Sequence, residues 1–270
     1  MNIFPMQNNF SYPYFSSRKK EIKDADMVQR RAKAVFPLVS PTYVESFYKT
    51  YKPSDYNLKS TRFISSCSDK ITFIREMQQF PSYYASRFKQ DELTVPYGIT
   101  LVQMKKDKAG NCLENSLAAL AALYANGYTN SNLANVRLKV EFINNDTQKS
   151  DAIYYMPLDH SVAITDMNRG GKKDIVLDPW LNFADSKDKA IARYKSVYSD
   201  NEIYEARSWA KYYFSQALNR MGKPSDISNY KINQNIVLVE SDTYTPEQLA
   251  PLQKFASEHF GDLVIKKDED

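Results

Sequence analysis

Apolar residues recur at helical spacing at Ala25, Val28, Ala32, Val35 and Phe36, which predicts a helix from Ser17 to Phe36. Val44, Phe47, Tyr48 and Tyr51 predict a second, short helix that ends before Pro53. Ile71, Ile74 and Met77 predict a third, closed by the Phe80–Pro81 step, and Tyr83 to Leu93 a fourth. From Ile99 the pattern changes. ITLVQM (99–104) reads as a strand, followed by the loop KKDKAGN. CLENSLAALAALYANG (112–127) reads as a helix in which Leu113, Leu117, Leu120, Ala121 and Tyr124 form one stripe. Ala118, Ala119, Ala122 and Leu123 extend that stripe around most of the circumference. A helix apolar nearly all round is a buried one, and Gly127 suits its C-terminal cap. VRLKVEFI (136–143) alternates as a strand does. HSVAITDM (160–167) and KDIVLD (173–178) flank NRGGK and predict a hairpin centred on Arg169. Helices at 184–198 and 202–221, the strand NIVLVE (235–240), a helix opened by Thr245-Pro246-Glu247 and an edge strand LVIK (263–266) complete the pattern. The expected class is α+β: a buried helix packed on an antiparallel sheet, with a helical region in front. Three segments are expected: a flexible lead at 1–17, rich in Asn, Ser, Pro and aromatics; a helical region at 18–95; and a core with C-terminal helices at 96–270.

Composition narrows the function. At 43% hydrophobic and 25% charged residues, a 270-residue chain can bury a full core. A net charge of +4 does not argue for a nucleic-acid binder. Two cysteines, Cys67 and Cys112, are too few for a disulfide scaffold or a Cys-rich zinc site, which points to a reducing compartment. With seven glycines and neither a GxxxxGK[ST] nor a GxGxxG motif, no phosphate-cradling loop is expected, and no metal or organic cofactor is implied. No apolar run approaches the roughly 18 residues of a membrane span. Arg18, Lys19, Lys20, Lys23, Arg30, Arg31 and Lys33 are read as a solvated basic helix face; peripheral contact with an acidic lipid surface is the alternative. No aromatics interleave with them, which disfavours single-strand nucleic-acid binding.

The candidate chemistry centres on Cys112, placed at the first turn of the buried helix just after Ala109-Gly110-Asn111. Helix N-termini stabilise a thiolate, the nucleophilic form. The dipole supplies only ~0.3–1 kcal/mol, whereas one unit of pKa requires ~1.4 kcal/mol, so a base is still needed. Of the two histidines, His160 is the natural one and His259 falls on the polar side of the last helix. A hairpin centred on Arg169 puts His160 directly opposite Asp178, on one face of the sheet. Asp159 and Asp166 are rivals for orienting the ring. The Cys112 N–H is a candidate oxyanion donor, with the side chain of Gln103 or Asn111 as a second. Glu114 and Asn115 suit a cap or polar rim. Trp180 is placed either to wall the substrate cleft or to pack against the helix. The plain alternatives are that Cys112 is a small core residue, that His160 merely begins a strand and that Asp178 is a turn residue before Pro179. Cys67 is read as structural.

These pieces together resemble the transglutaminase-like branch of the papain-like class. The resemblance rests on Gly110-Asn111-Cys112 at the start of an apolar helix, Leu117 to Gly127, and the strand Val136 to Ile143. It continues with His160-Ser161-Val162-Ala163-Ile164 and ends at Val176-Leu177-Asp178-Pro179-Trp180. It spans residues 99–180, under a third of the chain, with 48 residues from Cys112 to His160 and 18 from His160 to Asp178. The chain lacks the family's aromatic after the His-Ala/Ser pair, and its front and back have no counterpart there. The resemblance implies a Cys-His-Asp triad that acts through a thioester on a protein substrate. The reaction is glutamine deamidation or transglutamination, or else cysteine proteolysis; a non-catalytic interaction module reusing the fold is the competing class. Similar triads occur in bacterial virulence effectors. The N-terminal MNIFPMQNNF carries no basic start or apolar run, so the expectation is a protein secreted without a cleavable signal that acts on a host protein in the host cytoplasm, or otherwise a cytoplasmic one.

Overall fold

A computed structural model describes residues 13–42, 44, 45, 49, 57–89, 98–167, 170–242 and 246–265. Its centre is a five-stranded antiparallel sheet in the order β4-β3-β2-β1-β5. The strands are β1 (Ser131–Asn144), β2 (Ser150–Thr165), β3 (Ile175–Asp178), β4 (Phe183–Ser186) and β5 (Tyr230–Glu240). Strand alternation sorts the apolar residues onto two faces. Leu133, Ala163, Ile175 and Leu177 face one core, while Val136, Leu138, Val140, Val162, Ile164 and Val176 face a second. Helices cover both, so the molecule is α+β with the sheet between two helical layers.

The first layer is built around α5 (Cys112–Ala125), in which residues 114–124 are all buried. Around it lie α1 (Pro13–Val35), α2 (Leu58–Gln79), α3 (Pro81–Phe88), α4 (Thr100–Asp107) and α8 (Pro246–His259). Each contributes to one continuous core with α5: Ala25, Val28 and Ala32 from α1, Ile74 and Met77 from α2, Leu249 and Leu252 from α8. The second layer consists of α6 (Lys187–Val197) and α7 (Asp200–Arg220), joined through Ser199, whose hydroxyl accepts from the Glu202 N–H. Phe214 of α7 stacks on Phe142 of β1 at 4.2 Å between ring centroids and meets Tyr230 edge-on at 4.8 Å.

Several expectations change. Residues 99–104 are not a strand: Leu101 and Met104 are fully buried while Val102 is exposed, an i, i+3 pattern that forms α4. A short apolar run does not by itself separate strand from buried helix. Of the edge strand expected at LVIK (263–266), residues 263–265 are not a strand, and Lys266 lies outside the described residues. Gly261–Leu263 forms a 3₁₀ turn, and the Ile265 N–H is taken by the Asn126 side chain. Residues 183–186 form β4, so the helix expected at 184 starts at Lys187. β2 begins ten residues before the predicted strand, running through Pro157 and Asp159, which argue against a strand in sequence. Helix α1 starts at Pro13, inside the expected lead segment. Of the helix expected through Val44 to Tyr51, Phe47, Tyr48 and Tyr51 lie outside the described residues, as do Leu93 of the fourth and the hairpin tip Arg169. In the basic run, Arg18 pairs with Asp174, Arg30 with Asp26, Arg31 donates to the Asp262 carbonyl and Lys33 to Asn182. No described helix is long and apolar enough to cross a membrane.

Phe214 is 2% exposed in a stacked aromatic group, so Phe214→Ala is expected to cost about 3–5 kcal/mol of folding stability. Urea unfolding followed by circular dichroism measures this.

Candidate active site

Cys112 is the first residue of α5, in the turn where backbone N–H groups have no intrahelical acceptor. Its position is fixed from both sides. The segment before it pairs in parallel with the stretch after α1: the Val39 N–H donates to the Lys108 carbonyl at 2.9 Å and the Gly110 N–H to the Val39 carbonyl at 3.1 Å. Gly110 is required here by space. A Cβ at this position would lie 2.7 Å from the Glu114 Cβ and 2.9 Å from the Leu38 Cδ1. On the other side, the Ser116 hydroxyl lies 2.7 Å from both the Cys112 carbonyl and the Ser161 carbonyl of β2, which ties the first turn of the helix to the sheet.

His160 reaches the thiol because β2 is bulged. Val136 of β1 pairs with His160 and Arg137 with Pro157, so Leu158 and Asp159 have no partner on β1, and Asp159 sits at φ +45°. Bulges re-aim side chains in this way. The Asp159 carbonyl lies 3.7 Å from the Cys112 Sγ. The His160 Nε2 lies 2.6 Å from an Asp178 carboxylate oxygen, with both side chains buried. That leaves Nδ1 for the side-chain hydrogen bond between His160 and Cys112. The hairpin register differs from the expected one. Ala163 opposes Leu177, a two-residue displacement from a turn centred on Arg169. Because side chains alternate with period two, this keeps His160 and Asp178 on one face but makes them diagonal neighbours; a one-residue slip would have separated them.

Asp178 also accepts the Tyr194 hydroxyl of α6 at 2.9 Å and the Leu181 N–H at 2.9 Å. Burial and the neighbouring carboxylate push the Tyr194 phenol upward, so it remains a donor. Burial also works against a charged His160, but hydrogen bonds to Asp178 and Cys112, and the charges of both, outweigh it and lift the imidazole to about 9. Trp180 packs 5.3 Å from the His160 ring and Tyr194 meets it edge-on at 5.5 Å, so the imidazole is walled by aromatics on two sides. The Trp180 indole N–H is buried without an acceptor among the described residues.

The expected oxyanion side chains are not brought to the thiol. Gln103 lies on α4 and donates its amide to Asp107 at 2.6 Å. Asn111 caps α5: its side-chain Oδ1 accepts the Ser40 hydroxyl at 2.7 Å and its backbone N–H donates to Glu114 at 2.9 Å. Glu114 is fully buried and paired with Arg75 of α2 at 2.9 Å, which completes the cap. Burial disfavours the Arg75 charge, but Glu114, then Cys112 and Asp159, hold the guanidinium more firmly protonated. Arg75 is thus a cation within electrostatic reach of Cys112. Asn115 donates to the Asn111 carbonyl at 2.8 Å. Of the rivals for His160, Asp159 offers its backbone to the thiol, and Asp166 binds Asn130 and the Gly171 N–H instead. Cys67 is buried against Ile71 and Ala109, and burial raises its thiol above the ordinary value despite Lys70. His259 is exposed and packs 4.3 Å from Phe255. Arg75, Tyr194 and Ser40 carry no motif in sequence; only the fold brings them to the site. Among the described residues no His, Cys, Asp and Glu cluster suits a metal ion. No protein family, curated protein or solved structure matches the chain.

Two outcomes follow from this geometry. Because His160 holds its proton more tightly folded than unfolded, the stability from this linkage is complete below about pH 6.5 and is lost as pH rises through about 9. In Asp178→Asn the His160 titration, followed by NMR, is expected to drop well below about 9, and that alkaline loss of stability to shrink. Gly110→Ala is expected to cost about 1–3 kcal/mol through forced displacement of Glu114 and Leu38. It should also slow Cys112 alkylation, read by mass spectrometry of the intact protein.

Proposed function

We propose that the chain is a cysteine-nucleophile acyl-transfer enzyme of transglutaminase-like, papain-like type, acting on a glutamine side chain of a protein substrate. The observation that carries this reading is the buried His160, held through Nε2 by Asp178 at 2.6 Å beside a cysteine at a helix start. An imidazole lifted to about 9 stays protonated at neutral pH and stabilises the adjacent thiolate. Cys112 Sγ attacks the carboxamide carbon, with the Cys112 N–H as a donor to the developing oxyanion. The C–N bond breaks, His160 gives its proton to the departing nitrogen, and ammonia leaves a thioester. Water then attacks that carbon while His160 takes its proton; the C–S bond breaks, releasing a glutamate side chain and restoring the thiolate beside protonated His160. An amine in place of water gives transglutamination. The same steps at a backbone amide give proteolysis. A bacterial effector delivered to a host cell is the setting this chemistry fits.

Incubation with an unfolded glutamine-bearing polypeptide, with and without methylamine, separates the reactions by intact mass. Deamidation adds about one dalton per event, transamidation a larger adduct and proteolysis fragments. The expected result is deamidation or transamidation by the wild type and none by Cys112→Ala folded to the same circular-dichroism spectrum. Iodoacetamide near neutral pH is expected to label Cys112 at least about tenfold faster than Cys67, and His160→Ala to abolish that excess. Equal, slow labelling of both thiols would favour a non-catalytic interaction module.

A further inference from the structure

β2 pairs with β1 along its length, but on its other side β3 reaches only Ala163, Ile164 and Thr165. Among the described residues no strand occupies that side of residues 151–160. A groove of about 780 Å³ lies here, lined by the six consecutive residues 154–159. Neighbouring side chains of a strand point to opposite faces, so a groove touched by every residue in turn follows the edge of the strand. The opposite wall is Tyr198 with Glu202, Glu205, Trp209 and Tyr213 of α7. The groove leads to the nucleophile: Asp159 at its end presents the carbonyl that meets the Cys112 Sγ, and the Tyr198 hydroxyl donates to the Leu158 carbonyl at 2.9 Å.

Its chemistry is one-sided. The chain carries a net charge of +4, yet the groove holds the carboxylates of Asp159, Glu202 and Glu205 and, among the described residues, no lysine or arginine. Beside them Trp209 and Tyr213 stack at 6.1 Å and 28° and remain about half exposed. Carboxylates next to open aromatic faces form a site for a cation. An acidic segment or a nucleic acid would meet like charge there, and so would the same edge of a second copy.

We propose that this groove selects an extended, basic segment of the protein substrate. The segment lies along the open edge of β2, with a lysine or arginine over Trp209 and Tyr213 between Glu202 and Glu205, and leads its reactive amide to Cys112. The inference rests on the proposed acyl transfer for what happens at the thiol, but docking itself does not require catalysis.

Binding is therefore tested in Cys112→Ala, by fluorescence anisotropy with labelled hexapeptides of sequence Val-Lys-Val-Lys-Val-Gln and Val-Glu-Val-Glu-Val-Gln. The lysine peptide is expected to bind at least about tenfold more tightly, less so as salt is raised. Glu202→Gln with Glu205→Gln is expected to bring the two peptides within about twofold, since glutamine at 202 keeps the cap with Ser199. Trp209→Ala is expected to weaken the lysine peptide about fivefold. Equal affinity, no binding, or a preference unchanged in the double variant would overturn the proposal. A lysine preference in a protein whose wild type turns nothing over would sink the acyl-transfer reading and leave the docking intact. Turnover of both peptides at equal efficiency would do the reverse.

Discussion

A protonated imidazole taken out of water loses several kcal/mol of hydration unless a counter-charge and hydrogen bonds replace it. In this fold the replacement is the 2.6 Å contact of His160 with Asp178, and much of the local architecture follows from keeping it intact. Asp178 is itself fully buried, so it needs donors for its remaining lone pairs, and the Tyr194 hydroxyl and Leu181 N–H provide them. Tyr194 in turn fixes where α6 can lie on the sheet. The aromatic walls formed by Trp180 and Tyr194 limit water at the ring, which strengthens the electrostatic coupling inside.

The thiol is held by a separate set of constraints. Its helix is buried nearly all round, so rotation or sliding of α5 would disturb contacts in every direction. The loop before it cannot carry a side chain at Gly110, and it is paired to the strand-like stretch at Val39. Arg75 of α2 closes the cap through Glu114. Elements far forward in the chain therefore position the first turn of α5, while the hairpin positions the histidine. The two halves meet at the Asp159 carbonyl and the Ser116 hydroxyl. Cys112 and His160 thus sit on regular elements rather than on free loops, which is how a pair of side chains keeps its geometry without help from a ligand.

What could be read from the sequence was whatever local pattern determines. The apolar run from Leu113 to Tyr124 left no other solution than a buried helix, and its start put Cys112 at the N-terminus. Parity along the hairpin brought His160 and Asp178 to one face even though the register is displaced by two residues, because an even displacement conserves the face. What failed needed tertiary information. The first half of β2 contains Pro157 and an αL residue at Asp159, tolerated because Leu158 and Asp159 bulge out of the β1 ladder and, among the described residues, no strand pairs on the other side. Gln103 looked like an oxyanion donor only while its segment was taken as a strand; on α4 its amide finds Asp107 one turn away. Arg75 and Tyr194 are ordinary helix residues in sequence, and no spacing rule links them to a cysteine or an aspartate so far along the chain.

The competing picture of a binding module has to explain the same buried charges. Apolar residues of similar volume often stabilise a core at least as well as a buried ion pair, so such pairs are poor devices for stability alone. Here the ionisable groups are not scattered. His160 and Asp178 pair beside the half-buried Cys112, and Arg75, paired with Glu114, feels its charge. A module that only binds would have no use for an imidazole lifted to about 9 next to a thiol, or for a helix start locked so tightly around one cysteine. The proposed acyl transfer at that sulfur would use both, and the proposed docking in the acidic groove would bring one amide among many to it.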